Sequence, residues 1–460
     1  MLLARFGASP RAGPKFRPVH AFRCRALRGG NADTRISRML SVKEVLESHR
    51  EAGCRYGAGQ ISLTWSMLGK LAGRHGRREL PGTDRLLEPL VVNTRRVVPT
   101  MDGRHVAQTA HGVAKVQRGA RWRGSDALWD ALTARATSVA CDFKPRHHAN
   151  TAWAYAKVGR KSPALFDAIA VASAARVREF KPQELANTAW AYATAGHASP
   201  ALFDAIAVAS VARVREFKPQ ELANTAWAYA TAGHASPALF GAIASASAAR
   251  VGEFKPQELA NTAWAYAASD VRTAVLFASP HFADRCAELV NEIPADHLRQ
   301  LHQWQLWLEL ERAGEGWPML RADVRERCRA AFVAEAPRPS LMQRQVAVAL
   351  AELGPCVTEE VRTAEGYSID VVVATPDGRK VGVEVDGPSH FVGASHTPTG
   401  ATLLKRRQLR AAGWTLLSVP YFEWAELNVP GDAEAQRLRR REYLGSRALR
   451  NSETESVDDR

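Results

Sequence analysis

The 460-residue sequence lacks the features of a membrane protein, a disulfide scaffold and a zinc protein. It contains no run of 18 or more apolar residues, so we expect no membrane-spanning helix and no membrane partner. The six cysteines are scattered, and none stands in a CxxC pair or at the spacing of zinc ligands. We therefore expect reduced thiols in a reducing compartment.

Acidic residues are missing from the first 32 positions, where six arginines and one lysine come before Asp33. This segment has a short apolar start and no long hydrophobic core, a composition typical of an organellar transit peptide. We predict such a peptide over residues 1–32. A basic arm that binds nucleic acid is the alternative.

Positive charge remains in excess beyond that segment. Residues 33–142 hold 18 Lys or Arg against 11 Asp or Glu, within a chain of net charge +15. A polyanionic partner such as a nucleic acid is one explanation, and a solvated basic face is the other.

A 37-residue repeat occupies the middle of the chain. Residues 180–216 and 217–253 differ at only four of 37 positions, a looser copy covers 143–179, and a fourth copy begins at Phe254. A fixed period of this length predicts a solenoid of stacked two-helix units. In each unit a proline opens helix A, a left-handed glycine such as Gly196 ends it, and a Ser-Pro pair starts helix B. Worn copies on both sides extend the predicted array to roughly residues 35–310.

Each helix A is expected to expose one asparagine and one tryptophan. With Leu185 of the apolar face set at 0°, Asn187 lies at about 200° and Trp190 at about 140°. An amide beside an indole is suited to hydrogen-bond and stack an unstacked base, so these positions are candidate RNA contacts. The series is Asn150 with Trp153, Asn187 with Trp190, Asn224 with Trp227, and Asn261 with Trp264. The alternatives are core tryptophans and asparagines that bond the backbone between repeats.

The unit N-x-x-W-A-x-A, followed by a helix that starts with Ser-Pro, resembles the octotricopeptide repeats of algal organelle proteins. Four such units cover about a third of the chain. The resemblance implies an RNA-binding solenoid, in which identical helix A faces would read the same base if each repeat reads one. Solenoids also bind peptides, so a protein scaffold is an alternative.

The order of elements changes after residue 340. The pattern predicts α-β-β-β-α-β, with a helix at 341–354, strands at 357–363, 365–375 and 380–387, a helix at 401–413 and a strand at 414–424. This order is similar to the core of restriction-endonuclease-like nucleases.

The stretch VEVDGPSHF, residues 383–391, sets Glu384 and Asp386 in an otherwise apolar strand. Acidic residues are poorly tolerated there unless something uses them. Antiparallel pairing with the preceding strand would bring Asp370 beside Glu384, a carboxylate pair able to hold Mg²⁺. A simple strand-ending turn at Asp386 is the alternative.

GYSIDVVV, VEVDGPSHF, TGATLLKRRQLRAAGW and LLSVPYFEW resemble the RAP domain of organellar RNA-processing and translation factors. The similar sequence motif V-E-x-D-G-x-x-H-F occurs in endonucleases of the very-short-patch-repair type. The resemblance implies a nuclease-like site with Asp370, Glu384 and Asp386 as metal ligands. Most nucleases of this fold have lysine where this chain has Asp386, so Lys405 or His390 would have to replace it.

The helix after this loop carries four cations that are candidate RNA phosphate contacts: Lys405, Arg406, Arg407 and Arg410. A solvated basic helix is the alternative.

We therefore expect a mainly α fold, an α-solenoid of about 37-residue repeats followed by a small α/β RAP domain of restriction-endonuclease-like fold. The resemblance implies an organelle-targeted factor that binds single-stranded mRNA or rRNA, with protein co-factors, and acts in RNA processing, stability, splicing or translation. The alternatives are a Mg²⁺-dependent endoribonuclease and a protein scaffold. The expected location is the chloroplast or the mitochondrion, and the chloroplast is slightly favoured. The expected regions are a transit peptide (1–32), a basic region of degenerate repeats (33–142), the solenoid (143–310), a helical linker (311–340), the RAP domain (341–445) and an acidic tail (446–460).

Overall fold

The computed structural model describes residues 32–75, 83–119, 122–336, 338–354, 356–375, 378–393 and 395–448. The predicted transit peptide up to residue 31 and positions 449–460 of the predicted acidic tail lie outside the described residues. The helices are α1 (Ala32–Ser37), α2 (Val42–Ala52), α3 (Ala58–His75), α4 (Thr83–Val97), α5 (Gly103–Gly119), α6 (Asp126–Ser138), α7 (Pro145–Val158), α8 (Pro163–Ala175), α9 (Pro182–Ala195), α10 (Pro200–Ala212), α11 (Pro219–Thr231), α12 (Pro237–Ala248), α13 (Pro256–Ser269), α14 (Ala274–Phe277), α15 (His281–Glu288), α16 (Ala295–Leu306), α17 (Ala322–Val333), α18 (Leu341–Ala351), α19 (Gly400–Ala411), α20 (Tyr421–Glu426) and α21 (Ala433–Ala448). The strands are β1 (Cys356–Arg362), β2 (Ser368–Ala374), β3 (Lys380–Asp386) and β4 (Thr415–Pro420).

The boundaries of the repeat helices follow from their first and last residues. Helix α9 begins at Pro182, and the carboxylate of Glu184 accepts the backbone N–H of Lys181 at 2.8 Å, which satisfies a donor at the helix start. Gly196 ends the helix with φ of 63°, the left-handed conformation that glycine adopts without strain. Helix α10 begins at Pro200 as predicted, but the side chain of Ser199 makes no capping hydrogen bond.

Small residues bring the A helices of successive repeats close together. Ala189 and Ala191 are fully buried, and the A helices α5, α7, α9, α11 and α13 contact their neighbours along their lengths. Successive B helices, α6, α8, α10 and α12, meet at far fewer points. Because the A layer is packed more closely than the B layer, we infer that the stack curves with its A helices on the concave side.

Hydrogen bonds of one type recur from repeat to repeat. The hydroxyl of Tyr192 donates to the carbonyl oxygen of Phe166 in the preceding helix B at 2.6 Å, and two later tyrosines do the same. The equivalent pairs are Tyr229 with Phe203 and Tyr266 with Phe240. Each bond satisfies a buried hydroxyl and fixes one repeat on the next.

One hydrophobic core runs through the array. It extends without a break from Ile36 in α1 to Cys328 in α17, and it also includes Leu404 of α19. The segment 311–340, expected as a linker, contains helix α17, which packs against α16 and contributes Val324 to this core. No helix in the described ranges is both long and apolar enough to cross a membrane.

A four-stranded sheet follows, in the order β1-β2-β3-β4. The β1–β2 and β2–β3 pairs are antiparallel, whereas β3 and β4 are parallel, with Glu384 opposite Ser418. Helices α18 and α21 cover one face, and α19 lies on the other. The last strand ends at Pro420, so the expected strand up to residue 424 is wrong beyond that proline, where α20 begins. The fold class, an α-solenoid followed by a small α/β domain, is confirmed.

This C-terminal domain, residues 341–448, rests on the C-terminal ends of successive A helices. A Cβ added to Gly393 would overlap the carbonyl oxygen of Gly196, which follows α9. A Cβ added to Gly400 would overlap the carbonyl oxygen of Ala230 in α11. The two backbones therefore touch at both points, and only glycine leaves room for this approach.

An arginine makes the third contact with the array. Arg407 of α19 donates to the carbonyl oxygen of Ala267 in α13 and forms an ion pair with Glu311, which follows α16. The side chain of Glu311 is only 9% exposed. The contact points Gly393, Gly400 and Arg407 thus engage three consecutive repeats.

Candidate nucleic-acid interface

Three of the four asparagine–tryptophan pairs lie on the open side of the A helices. Asn150, Asn187 and Asn224 are half-buried, as are the tryptophans three positions further on. The apolar residues on the opposite side of each helix, such as Leu185, are fully buried. Because the A helices form the concave layer, these pairs make a row along the concave surface. Their role as RNA contacts remains a prediction.

The fourth pair is buried, so the expected exposure is wrong there. Asn261 is 7% exposed and Trp264 is 5% exposed. The indole N–H of Trp264 donates to the side-chain oxygen of Gln303 in α16 at 3.0 Å, and α19 packs on the same helix α13. At this position the tryptophan fills the core, which was the alternative interpretation.

The half-buried tryptophans contact neighbouring repeats, two of them the repeat before and one the repeat after. The ring of His111 lies 4.9 Å from that of Trp153, measured between centroids, and the ammonium group of Lys157 lies 5.4 Å above the ring of Trp190. Trp227 is 6.3 Å from the buried Trp264. The indoles are therefore held in place by their neighbours and form a preorganised surface.

The row extends one repeat further than the sequence analysis proposed. In the worn copy that forms α5, Gln108 and His111 take the positions of the asparagine and the tryptophan, and both are half-buried. The sequence signal is the similarity of TAHGVAKVQRG at 109–119 to TAWAYAKVGR at 151–160, which aligns Gln108 with Asn150 and His111 with Trp153.

Cations gather at this end of the row. Lys115 and Arg118 are exposed on α5, and Lys157 follows on α7. Partial burial and then the positive charge of Arg118 lower the pKa of Lys157. Burial, with a further effect of Lys115, lowers the pKa of His111 to about 4, so this ring is neutral at pH 7. The positive charge here therefore comes from the lysines and the arginine, groups that suit phosphate contacts.

A second group of predicted residues meets in the C-terminal domain. Lys405 reaches Glu384 with 2.6 Å between Nζ and Oε2, and the Nδ1 of His390 lies 2.9 Å from Asp386. Asp370 accepts the backbone N–H of Val385 at 2.7 Å. The five residues that the nuclease resemblance singled out thus converge at the end of β3.

Cations from α19 pair with two of the carboxylates in this cluster, Glu384 and Asp386. Arg406 donates to Asp386 at 2.6 Å, and the hydroxyl of Ser418 donates to the same oxygen at 2.5 Å. Burial alone would raise the pKa of Asp386, but these partners and His390 outweigh it and lower the pKa. Burial raises the pKa of Glu384 to about 7, although Lys405 opposes the shift, and burial also raises the pKa of Asp370.

The cations of α19 compete with the expected magnesium ion for these carboxylates, and the magnesium site stays a prediction. Magnesium requires several oxygen ligands in octahedral geometry. Here Lys405 and Arg406 occupy one oxygen each of Glu384 and Asp386, and Asp370 faces a backbone N–H. In the part of the chain that the structure describes, no three His, Cys, Asp or Glu side chains are arranged to hold a metal ion.

The four cations of α19 do not form one solvated face. Lys405 and Arg406 turn to the carboxylate cluster, with side chains 23% and 13% exposed, and Arg407 is held between Glu311 and α13. Arg410 is exposed. Of the four, the structure leaves Arg410 the most accessible to a phosphate.

Comparison with known proteins identifies both parts of the chain. The family model described as RAP domain matches residues 383–437, from within β3 to the start of α21, which include Glu384 and Asp386 of the carboxylate cluster but not Asp370. The chain contains a RAP domain. The family model described as RNA-editing substrate-binding complex 6 protein matches residues 83–230 and 174–307, two overlapping stretches that cover the array from α4 to α16.

A relative from Oryza sativa subsp. japonica, named RAP domain-containing protein, chloroplastic, is 38% identical to this chain over 102 residues. These residues make up 22% of this chain and 15% of the rice protein, so the similarity covers only a small part of each. The recognition of a RAP-domain protein with a helical repeat region is confirmed.

Proposed function

We propose that the protein is an organellar RNA-binding factor that holds single-stranded RNA along the concave surface of its array. The observation that carries this proposal is the row of half-buried asparagine and tryptophan side chains, repeated every 37 residues, with Lys115, Arg118 and Lys157 at one end. Amides hydrogen-bond base edges, indoles stack on bases, and the cations contact phosphates.

The similarities support the same proposal. The array matches a family whose printed name refers to RNA-editing substrates, and the RAP domain matches a rice protein whose printed name includes the word chloroplastic. We infer an organellar location, with the chloroplast first and the mitochondrion second. The protein would act on its transcript in RNA processing, stabilisation, splicing or translation, together with protein co-factors.

In this proposal the RAP domain binds RNA and does not cleave it. Glu384 and Asp386 are paired with Lys405 and Arg406, and the position of the domain against α11 and α13 sets one end of the row. A nuclease would need those carboxylates free for metal ligation.

The chain supplies its own control for the test. Asn187, Asn224 and Asn261 have the same neighbours in sequence, but only the first two are accessible. We expect Asn187→Ala with Asn224→Ala to weaken binding of a labelled 20-nucleotide single-stranded RNA by roughly tenfold or more, at about 1 kcal/mol per lost hydrogen bond. Asn261→Ala should change the affinity less than twofold. Equal effects of the exposed and buried substitutions would contradict the proposed surface.

A second arm separates binding from cleavage and from a scaffold role. The same RNA is incubated with protein and Mg²⁺ or Mn²⁺, and samples run on native and denaturing gels beside Asp370→Ala. We expect shifted, intact RNA whose binding weakens steeply with salt. Fragments that disappear in Asp370→Ala would establish an endoribonuclease, and RNA that is neither shifted nor cut would favour a protein scaffold.

A further inference from the structure

A cleft of about 700 Å³ lies between the RAP domain and the array, beside the points where they touch. One wall is formed by the C-terminal ends of α11 and α13, including Ala230, Gly233 and Ser269. The other wall belongs to the RAP domain: the loop before α19, the inner side of α19 and the start of α20. Its volume is sufficient for a mononucleotide and lies within the usual range of ligand sites.

The RAP wall carries an aromatic platform. The rings of His396 and Phe422 are stacked with centroids 3.7 Å apart and planes inclined by 12°. His396 is exposed and Phe422 is half-buried, so the pair lines the cleft instead of filling a core. A stacked pair with an accessible aromatic ring is a suitable surface for a base.

Arginines lie beside this platform. Arg406, Arg407 and Arg410, from α19, all line the cleft. The first two have carboxylate partners, and Arg410 is exposed. A guanidinium group can hold a carboxylate and a phosphate oxygen at once, because it has five donors. The cleft therefore combines the two chemistries that a nucleotide offers, a flat base and an anionic phosphate.

The position of the cleft relates it to the concave row. Ala230 lies three residues, about one helical turn, after Trp227 in α11, the last half-buried tryptophan of the row. The next tryptophan, Trp264, is covered by α16 and the RAP domain. An RNA strand that follows the half-buried tryptophans toward the RAP domain would therefore leave the row next to the opening of the cleft.

We propose that this cleft is a nucleotide-binding site, in which one base of the RNA stacks on the His396–Phe422 pair and its phosphate contacts the arginines of α19. This inference rests on the proposed RNA-binding function. It adds a site that takes a single nucleotide and does not belong to the repeats.

The test uses the full chain and two probes, adenosine 5′-monophosphate and the 20-nucleotide single-stranded RNA. His396→Ala removes an exposed ring, and His281→Ala, an exposed histidine in α15, is the matched control. We expect the wild type to bind the monophosphate in titration calorimetry, and His396→Ala to weaken this binding by about tenfold and RNA binding by about fivefold or more. Arg410→Gln should weaken both probes, while His281→Ala should change neither.

The outcomes of the two proposals are distinguishable. RNA binding that depends on Asn187 and Asn224 but is unchanged by His396→Ala, with no monophosphate bound, would overturn the cleft site and leave the concave surface standing. Monophosphate binding equal in the wild type and in His396→Ala would also overturn it. No RNA binding by the wild type would refute the proposed function itself. Thermal unfolding of each variant verifies that the fold is intact.

Discussion

Replacing Arg407 by alanine is expected to loosen the RAP domain from the array without unfolding either part. This arginine forms an ion pair with Glu311 and donates to the carbonyl oxygens of Ala267 and Ala268 at the end of α13. Those carbonyls belong to the last turn of the helix, where that of Ala267 also accepts the backbone N–H of Asp270 at 3.3 Å. The substitution therefore removes three interactions between the RAP domain and the array.

The magnitude follows from the burial of the two charges. Breaking a buried ion pair by removing one partner costs about 3–5 kcal/mol, because the other charge is left without compensation. Glu311 is 9% exposed, but Arg407 is 29% exposed, so part of its interaction is screened by solvent. We expect about 2–3 kcal/mol, which corresponds to a roughly 30- to 150-fold change in the opening equilibrium.

Hydrogen exchange measured by mass spectrometry detects this local opening directly. Peptides from α19 and from the end of α13 should exchange about 30- to 150-fold faster in Arg407→Ala, whereas peptides from α5 and α7 should not change. Because Glu311→Gln removes the charge that would be left uncompensated, the double variant should recover part of the protection. Unchanged exchange in α19, or equal acceleration throughout the chain, would refute the assignment of Arg407 as a docking residue.

Other substitutions test the glycine contact and the carboxylate cluster. Gly400→Ala should lower the free energy of unfolding of the docked RAP domain by about 1–3 kcal/mol in urea titrations, because its Cβ overlaps a backbone oxygen, and unchanged stability would contradict the close approach. Gly241→Ala, in α12 with open space around it, should instead raise stability by about 0.5–1 kcal/mol in the same titrations. Glu384 has its pKa raised from an ordinary value of 4.5 to about 7, so its contribution to stability is present below pH 4.5 and is lost as the pH rises through 7. Glu384→Gln should remove up to about 3 kcal/mol of the stability difference between pH 4 and pH 8, and equal pH profiles of both proteins would argue against the shifted pKa.

Much of the array was predictable from the sequence because its determinants are local. The 37-residue period, the prolines that open the helices and the left-handed glycine at position 196 each act within one repeat, and the structure follows them. The burial of Trp264 was not predictable in this way. Its local sequence equals that of Trp190, and the difference comes from Gln303 and α19, which are distant in the chain.

The candidate sites show the same contrast: what neighbouring residues determine was predictable, and what distant residues determine was not. Alternation along β3 was sufficient to place Glu384 and Asp386 on one face, and antiparallel pairing brought Asp370 near them. Which cations of α19 would meet them depended on how that helix is rotated over the sheet. Consecutive residues of a helix point about 100° apart, so Lys405 and Arg406 reach the carboxylates while Arg407 reaches the array. The cleft with His396 and Phe422 exists only where the two parts meet.

The docking contacts give the array one fixed end and one end that is free to lengthen. Gly393, Gly400 and Arg407 are seven residues apart in the RAP domain, and they engage repeats that are 37 residues apart in the array. Two of those repeats differ at only four of 37 positions. A further copy inserted among them would therefore present the RAP domain with nearly the same contact surface. Duplication would push the older repeats outward on the N-terminal side and leave the docked end unchanged. If the array binds RNA as proposed, such duplications change the length of the RNA segment that it covers without a change in the RAP domain.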